Sequence, residues 1–329
     1  MTKPNLFKYA TGELSQDAVL CWLFSWGDPQ QSSEDEALHR LGKALIEAML
    51  SASQAPPVDR IKEISVHRQY HSIDIVVEVN DTHVLVIEDK VDTGLHSDQL
   101  HRYQQLVKTD FPDRAHGFVY LKVGDQSSYN AVERQGWTAF QRSDLLGVIG
   151  GAADRAENDI LNDYVAHLQR IEKAVASFRS RPVSEWSARA WRGFFMALQD
   201  ELGQGEWSYV PNASGGFMGF WWGFHQVQGG EVYLQLEEQR LVAKVGVPNK
   251  VERSAVRNRW SRIVREGVSS PPFYRPKRFG YGRWMTVANA DPYIRVKKGL
   301  LDLDATIAFL LRATNAISEV VASVEEQEL

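Results

Sequence analysis

The chain predicts an α/β fold in its first half, a mixed sheet flanked by helices, followed by a smaller α+β domain. The hydrophobic period runs from helical to alternating and back to helical between residues 11 and 145. Ser180-Arg181-Pro182 then interrupts a helical stretch, and the composition shifts: Trp186, Trp191, Trp207, Trp221, Trp222, Trp260 and Trp284, seven of the ten tryptophans, lie beyond it. The expected domains are residues 1–180 and 181–329.

Residues 11–26 form the first expected helix, with Val19, Trp22, Leu23 and Trp26 on one stripe. Gly27-Asp28-Pro29 ends it. Residues 34–51 form a second, with Leu38, Leu41, Leu45 and Met49 inward. After Ala55-Pro56-Pro57 the pattern alternates, and residues 61–69, 73–79 and 84–90 predict strands. Asn80-Asp81 marks the turn of a hairpin between the last two. A helix (97–109), a strand (117–123), an edge strand (137–140) and a long helix (154–178) complete the first domain. In the second, a helix (184–202) precedes strands at 219–227, 231–236 and 240–247. A basic helix (251–266), a Pro271-Pro272 turn, one more strand and a closing helix (304–324) follow.

With 43% hydrophobic and 24% charged residues, the composition is that of a water-soluble globular chain. No run of 18 apolar residues occurs, so no membrane span is expected. No signal-peptide pattern opens the chain, which predicts a cytoplasmic protein. Cys21 is the single cysteine and reads as a small core residue of the first helix. The net charge of -5 argues against nucleic-acid binding when taken alone, but it is unevenly spread. Between Lys244 and Lys298 there are fourteen Lys or Arg against Glu252, Glu266 and Asp291, a local balance of +11 that leaves -16 elsewhere.

The most informative segments are Ile73-Asp74-Ile75-Val76-Val77 and Val84-Leu85-Val86-Ile87-Glu88-Asp89-Lys90. Strand side chains alternate, so Glu88 and Lys90 share one face and Asp89 takes the other. Charges at the ends of apolar strands are costly unless paired or metal-bound. Two carboxylates can hold a hard divalent cation through oxygen. A neighbouring lysine can orient or deprotonate water, or steady a phosphate oxygen. These are the groups that metal-assisted phosphodiester hydrolysis needs. The same residues also suit a plain ion pair, with Asp74 closing a strand or pairing with Lys90.

In this set the chain resembles the PD-(D/E)XK nuclease superfamily: Asp74 follows Ile73 where the family name has proline, and Glu88-Asp89-Lys90 stands as the (D/E)XK element. The resemblance, over residues 11–145, implies a restriction-endonuclease-like fold and nuclease activity with Mg²⁺ or Mn²⁺. It implies that Asp74 and Glu88 bind the metal, that Asp89 offers its backbone carbonyl, and that Lys90 assists the attacking water. It also implies a further acid on the first helix, where Glu13 stands. A helix-start acid favoured by the dipole remains the alternative there. His96, Gln99 and Tyr103 fall on one helical face. Gln99-x-x-x-Tyr103 resembles the substrate-positioning element of the RecB-like and lambda-exonuclease-like branches. Gln99-Leu100 with Arg102-Tyr103 is similar to a bacterial PD-(D/E)XK group in which an acid is expected at the position of His96.

In the basic segment, Val256, Trp260, Ile263 and Val264 form the apolar stripe of its helix, leaving Arg253, Arg257, Arg262 and Arg265 for other faces. Arg275, Lys277, Arg278 and Arg283 interleave with Phe273, Tyr274, Phe279 and Tyr281. Cations meet phosphates and rings stack on bases, which makes Arg257, Arg262 and Arg278 candidate nucleic-acid contacts. A solvated basic face is the alternative. The expected function is metal-dependent cleavage of nucleic acid, with DNA favoured by the resemblance alone. The rivals are a non-catalytic nucleic-acid-binding or scaffold protein that kept the fold, and an interaction module within a defence complex. A homodimer and a defence-complex partner both stay open, and the absence of a Walker motif predicts no intrinsic ATPase.

Overall fold

A change of hydrophobic period organises the first of the two units, residues 1–172 and 173–329, into which the chain divides. The structure is a computed structural model and describes residues 4–92, 94, 98–153, 157–212 and 215–328. Helices α1 (Glu13–Trp26) and α2 (Glu36–Ala52) come first. Asp35 caps α2 by accepting from Leu38 N at 3.0 Å, satisfying a donor that has no partner inside the helix. The expected stripe of α2 is buried. That of α1 is rotated: Gln16, Asp17, Val19, Leu20, Leu23 and Phe24 are inside, while Trp22 and Trp26 are half-buried and meet edge to face. Cys21 is likewise half-buried, and burial pushes its thiol up to about 11, which leaves it a poor nucleophile.

The crossing of the two helices depends on Gly42. A Cβ there would lie 2.4 Å from Leu23 O and 2.5 Å from Gly27 N, both backbone atoms with no room to yield. Gly42→Ala is therefore expected to destabilise the chain by about 1–3 kcal/mol, the range for overpacking a filled core. Urea denaturation checks this; an unchanged midpoint would show that the helices are free to separate.

Strands β1 (Ile64–Tyr70), β2 (Ile73–Val79) and β3 (His83–Lys90) follow as an antiparallel meander. Asn80 adopts φ 52° in the turn between β2 and β3. Helix α3 (Gln99–Asp110) crosses over to β4 (Ala115–Lys122), which pairs in parallel with β3, as such a crossover permits. A short α4 (Asn130–Glu133) leads to β5 (Thr138–Gln141), parallel to β4, then α5 (Arg142–Ala153) and α6 (Asp159–Ala176). Among the described residues the sheet order is β1-β2-β3-β4-β5, the expected mixed sheet. Helices α1 and α2 pack on one face. On the other, Leu100, Tyr103 and Val107 of α3 pack against Val76, Val84, Val86 and Phe118. Helix α5 was not expected, because Gly147, Gly150 and Gly151 weaken the helical signal. Its first residue, Arg142, ties β4 to α6 through Glu172 and Asp125, both at 2.7 Å, and through Val123 O.

The second unit begins with α7 (Ala188–Leu202), followed by β6 (Glu206–Val210), β7 (Phe217–Val227), β8 (Gly230–Glu237) and β9 (Arg240–Gly246). Then come α8 (Arg253–Gly267), β10 (Phe273–Tyr274), β11 (Trp284–Ala290), the small ladder β12 (Val296–Lys297) with β13 (Leu300–Leu301), and α9 (Leu303–Glu328). Six described strands form an antiparallel sheet in the order β10-β11-β9-β8-β7-β6. Val232, Leu234 and Leu236 of β8 and Leu241, Ala243 and Val245 of β9 join the core with α7, α8 and α9, while the alternate residues face away. Helix α9 is long and apolar enough to span a membrane by length and composition alone. Phe309, Leu310, Ala313, Ile317 and Val321 on it belong to that core.

Candidate active site

The end of β3 places three charged side chains in succession on an otherwise apolar strand. Glu88, Asp89 and Lys90 are all buried. Ile75 pairs with Ile87, so Asp74 on β2 stands one step on, opposite Glu88. Asp74 Oδ2 accepts from Asp89 N at 2.9 Å, which fixes the carboxylate against the neighbouring strand. Lys90 Nζ contacts Glu88 Oε1, donates to Asp89 O at 3.2 Å and lies 3.6 Å from Asp74 Oδ2. Three oxygens from two strands thus converge on one ammonium.

Helix α3 supplies the next layer. Gln99 Nε2 donates to Glu88 Oε1 at 2.6 Å and to Tyr103 Oη at 3.0 Å, and Tyr103 in turn donates to Ser72 O. The helical spacing that puts Gln99 above Tyr103 therefore aims an amide at Glu88. His96, expected on the same face, lies outside the described residues. From α1, Glu13 Oε1 accepts from Val91 N at 3.1 Å, just beyond β3.

Crowding of like charges sets the electrostatics. Burial, and then Asp74, pushes the Glu88 carboxyl up to about 7, against the pull of Lys90. For Lys90, burial works against the ammonium, but Glu88, Asp74 and Glu13 outweigh it and the net shift is upward. On the α1 side of the sheet, Asp89 Oδ1 accepts from Gln16 Nε2 at 2.5 Å. Burial and Asp17 hold the Asp89 carboxyl well above its ordinary range, and burial and Asp74 raise Asp17 to about 6. This polar contact explains why Gln16 and Asp17 turn inward on α1.

The structure gathers Asp74, Glu88, Asp89, Lys90, Glu13, Gln99 and Tyr103 around one end of β3. Arg257, Arg262 and Arg278 lie in the second unit. Arg262 and Arg278 are exposed, but Arg257 is buried. It donates to Gly280 O at 2.9 Å and to Asn258 Oδ1, and packs over the Phe279 and Tyr281 rings. Its donors brace the 279–281 segment instead of pointing outward. Nearby, Arg68 contacts Leu14 O and Asp17, and His83 is buried against Pro56 O.

Sequence reasoning missed Gln16, Asp17 and Lys122. Lys122 is buried at the end of β4, in register with Lys90. Its signal was the one already used for β3, an apolar strand that ends in a charge. Among the described residues no group of three or more His, Cys, Asp or Glu side chains is arranged for a metal ion. The oxygen set around Lys90 comprises two carboxylate side chains and one backbone carbonyl.

The sequence model of the PD-(D/E)XK nuclease superfamily matches residues 4–178, more than half of the chain. The chain belongs to this superfamily. No curated protein and no solved structure matches the chain. The family match spans the mixed sheet and its helices, so the α/β nuclease-like fold is that of the first unit.

Proposed function

We propose that the chain is a divalent-metal-dependent nuclease that cleaves DNA, with the first unit as its catalytic domain. The observation that carries this reading is the convergence of Asp74 Oδ2, Glu88 Oε1 and Asp89 O on the Lys90 ammonium. The donors are hard oxygens throughout. Glu88 Oε2 and Gln99 Oε1 are further buried acceptors without a hydrogen-bond donor. Both features suit Mg²⁺ or Mn²⁺, held by Asp74, Glu88 and the Asp89 carbonyl. A cation bound there would supply Lewis-acid polarisation of the phosphodiester and lower the pKa of water.

The protein's own groups have separate tasks in this reading. Lys90, released from the carboxylates, orients the attacking water or donates to a phosphate oxygen. Gln99 and Tyr103 hold Glu88 in place, and Glu13 fixes the backbone where β3 ends. Arg262 and Arg278 are the exposed candidates for phosphate contacts. The choice of DNA and a role in restriction or defence rest on the family resemblance.

The test is cleavage of circular and linear DNA, single- and double-stranded, and of one RNA, with Mg²⁺ or Mn²⁺ against EDTA. Wild type should cut DNA only with metal, and Asp74→Ala should not cut. A gel shift that persists while no metal supports cleavage would sink the nuclease reading and favour a binding protein that kept the fold. Asp89→Asn separates side chain from carbonyl. It is expected to cleave as wild type does and to be the more stable protein at pH 8, because it removes a carboxyl that burial disfavours in its charged form. Loss of cleavage in Asp89→Asn would show that the side chain itself is required.

A further inference from the structure

One face of the second unit's sheet carries aromatic rings gathered around buried polar groups, in a pocket of about 460 Å³. Trp221, Phe224, Tyr233 and Trp284 form its walls. Phe224 and Trp284 are 47% and 46% exposed, high values for rings of this size in a folded unit. The rings are ordered against one another. Phe224 stacks on Tyr233 with centroids 4.8 Å apart and planes 20° from parallel, and Tyr233 meets Trp284 edge-on at 6.0 Å. Gly246 makes the space: a Cβ there would lie 2.1 Å from Trp284 Cζ3, so the indole lies across bare backbone of β9.

The floor is polar. Gln235 is buried and donates to Glu237 Oε1 at 3.3 Å, and Lys244 Nζ lies 3.6 Å from the same oxygen. The Lys244 and Glu237 side chains are only 13% and 10% exposed. An ammonium and a carboxylate that neutralise each other offer a charged ligand no net attraction to offset the cost of removing it from water. A neutral, planar ligand with donors and acceptors along its edge meets no such penalty. The rings offer faces for stacking. Gln235 offers both a donor and an acceptor, Lys244 donors and Glu237 acceptors. Arg283 lies over the Trp284 ring at 4.9 Å and Arg240 pairs with Glu237, which puts cations beside the pocket where a backbone phosphate would follow.

We propose that this pocket binds an unstacked base of a single-stranded DNA segment, stacking it on the aromatic walls and reading its edge with Gln235, Lys244 and Glu237. The proposal rests on the reading of the chain as a DNA nuclease. It gives the second unit a task in recognising unpaired DNA, such as ends, gaps or melted segments, because a base in a duplex cannot enter.

The test is fluorescence anisotropy of the full chain in EDTA, where binding is read without cleavage. The probes are a single-stranded 15-mer DNA, its duplex, the same strand built of abasic sugar-phosphate, and the RNA strand. Wild type should bind the single strand about tenfold more tightly than the abasic strand, the scale of one base–aromatic stack. Trp221→Ala and Trp284→Ala should each lose about that factor and leave duplex and abasic binding unchanged. Trp284→Phe, which keeps a ring and guards against misfolding, should retain most of the affinity. Gln235→Leu should alter the preference among oligo-dA, oligo-dC and oligo-dT. Equal binding of normal and abasic strands, wild-type affinity in both alanine variants, or tighter binding of RNA would overturn the assignment. A chain that cleaves DNA yet ignores abasic sites sinks the pocket and leaves the nuclease. A chain that discriminates them yet never cuts does the reverse.

Discussion

Lys90→Ala is expected to lower DNA cleavage by about 10²–10⁴-fold, the usual contribution of a positioned proton-transfer group, while Mn²⁺ binding persists in calorimetry. The expectation follows from what the ammonium touches. Lys90 contacts Glu88 and lies within reach of Asp89 O and Asp74 Oδ2, so it is the countercharge of the cluster. Its removal takes away the group that holds the Glu88 carboxyl at about 7 against burial and Asp74, and the carboxyl then resists ionisation more strongly. A divalent cation can take over that countercharge, but it does not replace a proton donor beside it. The variant should therefore bind Mn²⁺ at alkaline pH and turn over slowly at every pH. Lys90→Arg keeps the charge on a larger planar group that does not deprotonate, so it should restore little activity. Mn²⁺ binding abolished in Lys90→Ala at pH 8.5 would make Lys90 a support for the carboxylates and remove its assigned part in the chemistry. Asp74→Ala is the contrasting case, expected to lose metal binding and cleavage together.

The catalytic pattern was legible because β2 and β3 alternate strictly. Period alone put Glu88 and Lys90 on one face and Asp89 on the other, and the hydrogen bonds of Asp89 to α1 and of Glu88 to α3 follow that division. Burial of polar residues was not legible. Gln16 and Asp17 are not on the apolar stripe read for α1, and they turn inward where the helix meets Asp89. Lys122 went unread although β4, like β3, is an apolar strand that ends in a charge, and its pairing with Lys90 comes from a parallel strand distant in sequence. Arg257 looked like an open cation because nothing local tells that Phe279, Gly280 and Tyr281 fold over it. In the second unit the composition shows where the tryptophans gather but not which of them are buried. Trp191, Trp207, Trp222 and Trp260 are buried, but Trp284 is not, and its place against β9 requires the bare backbone of Gly246 in a different strand.

Without metal, wild type is expected to lose stability relative to Glu88→Gln as pH rises from 4.5 to 8. The sign comes from proton linkage. Glu88 ordinarily titrates at 4.5, and in the folded chain burial and Asp74 raise it to about 7. Below 4.5 both states hold the proton and nothing is lost. Between the two values the folded state holds a proton that the unfolded state has released, so stability falls as pH rises, until above about 7 the loss is complete. The shift corresponds to about 3 kcal/mol, at 1.36 kcal/mol per pH unit. Glutamine carries no such proton, so subtracting Glu88→Gln cancels the carboxyls elsewhere, and Asp17, whose own shift has the same sign, is treated alike in both proteins. Urea denaturation at pH 4.5, 6, 7 and 8 gives the difference directly. Metal should act against the same loss. At about one hundred times its dissociation constant it adds about 2.7 kcal/mol to the wild type, and its apparent affinity should fall about tenfold per pH unit below 7, where protons hold Glu88. A difference that stays flat with pH would mean that Glu88 is hydrated in solution, and a Mg²⁺ response equally large in Glu88→Gln would place the cation elsewhere. The two observations together separate a buried carboxyl that awaits a cation from one that merely pairs with Lys90: both give the pH slope, but only the first lets the metal cancel it.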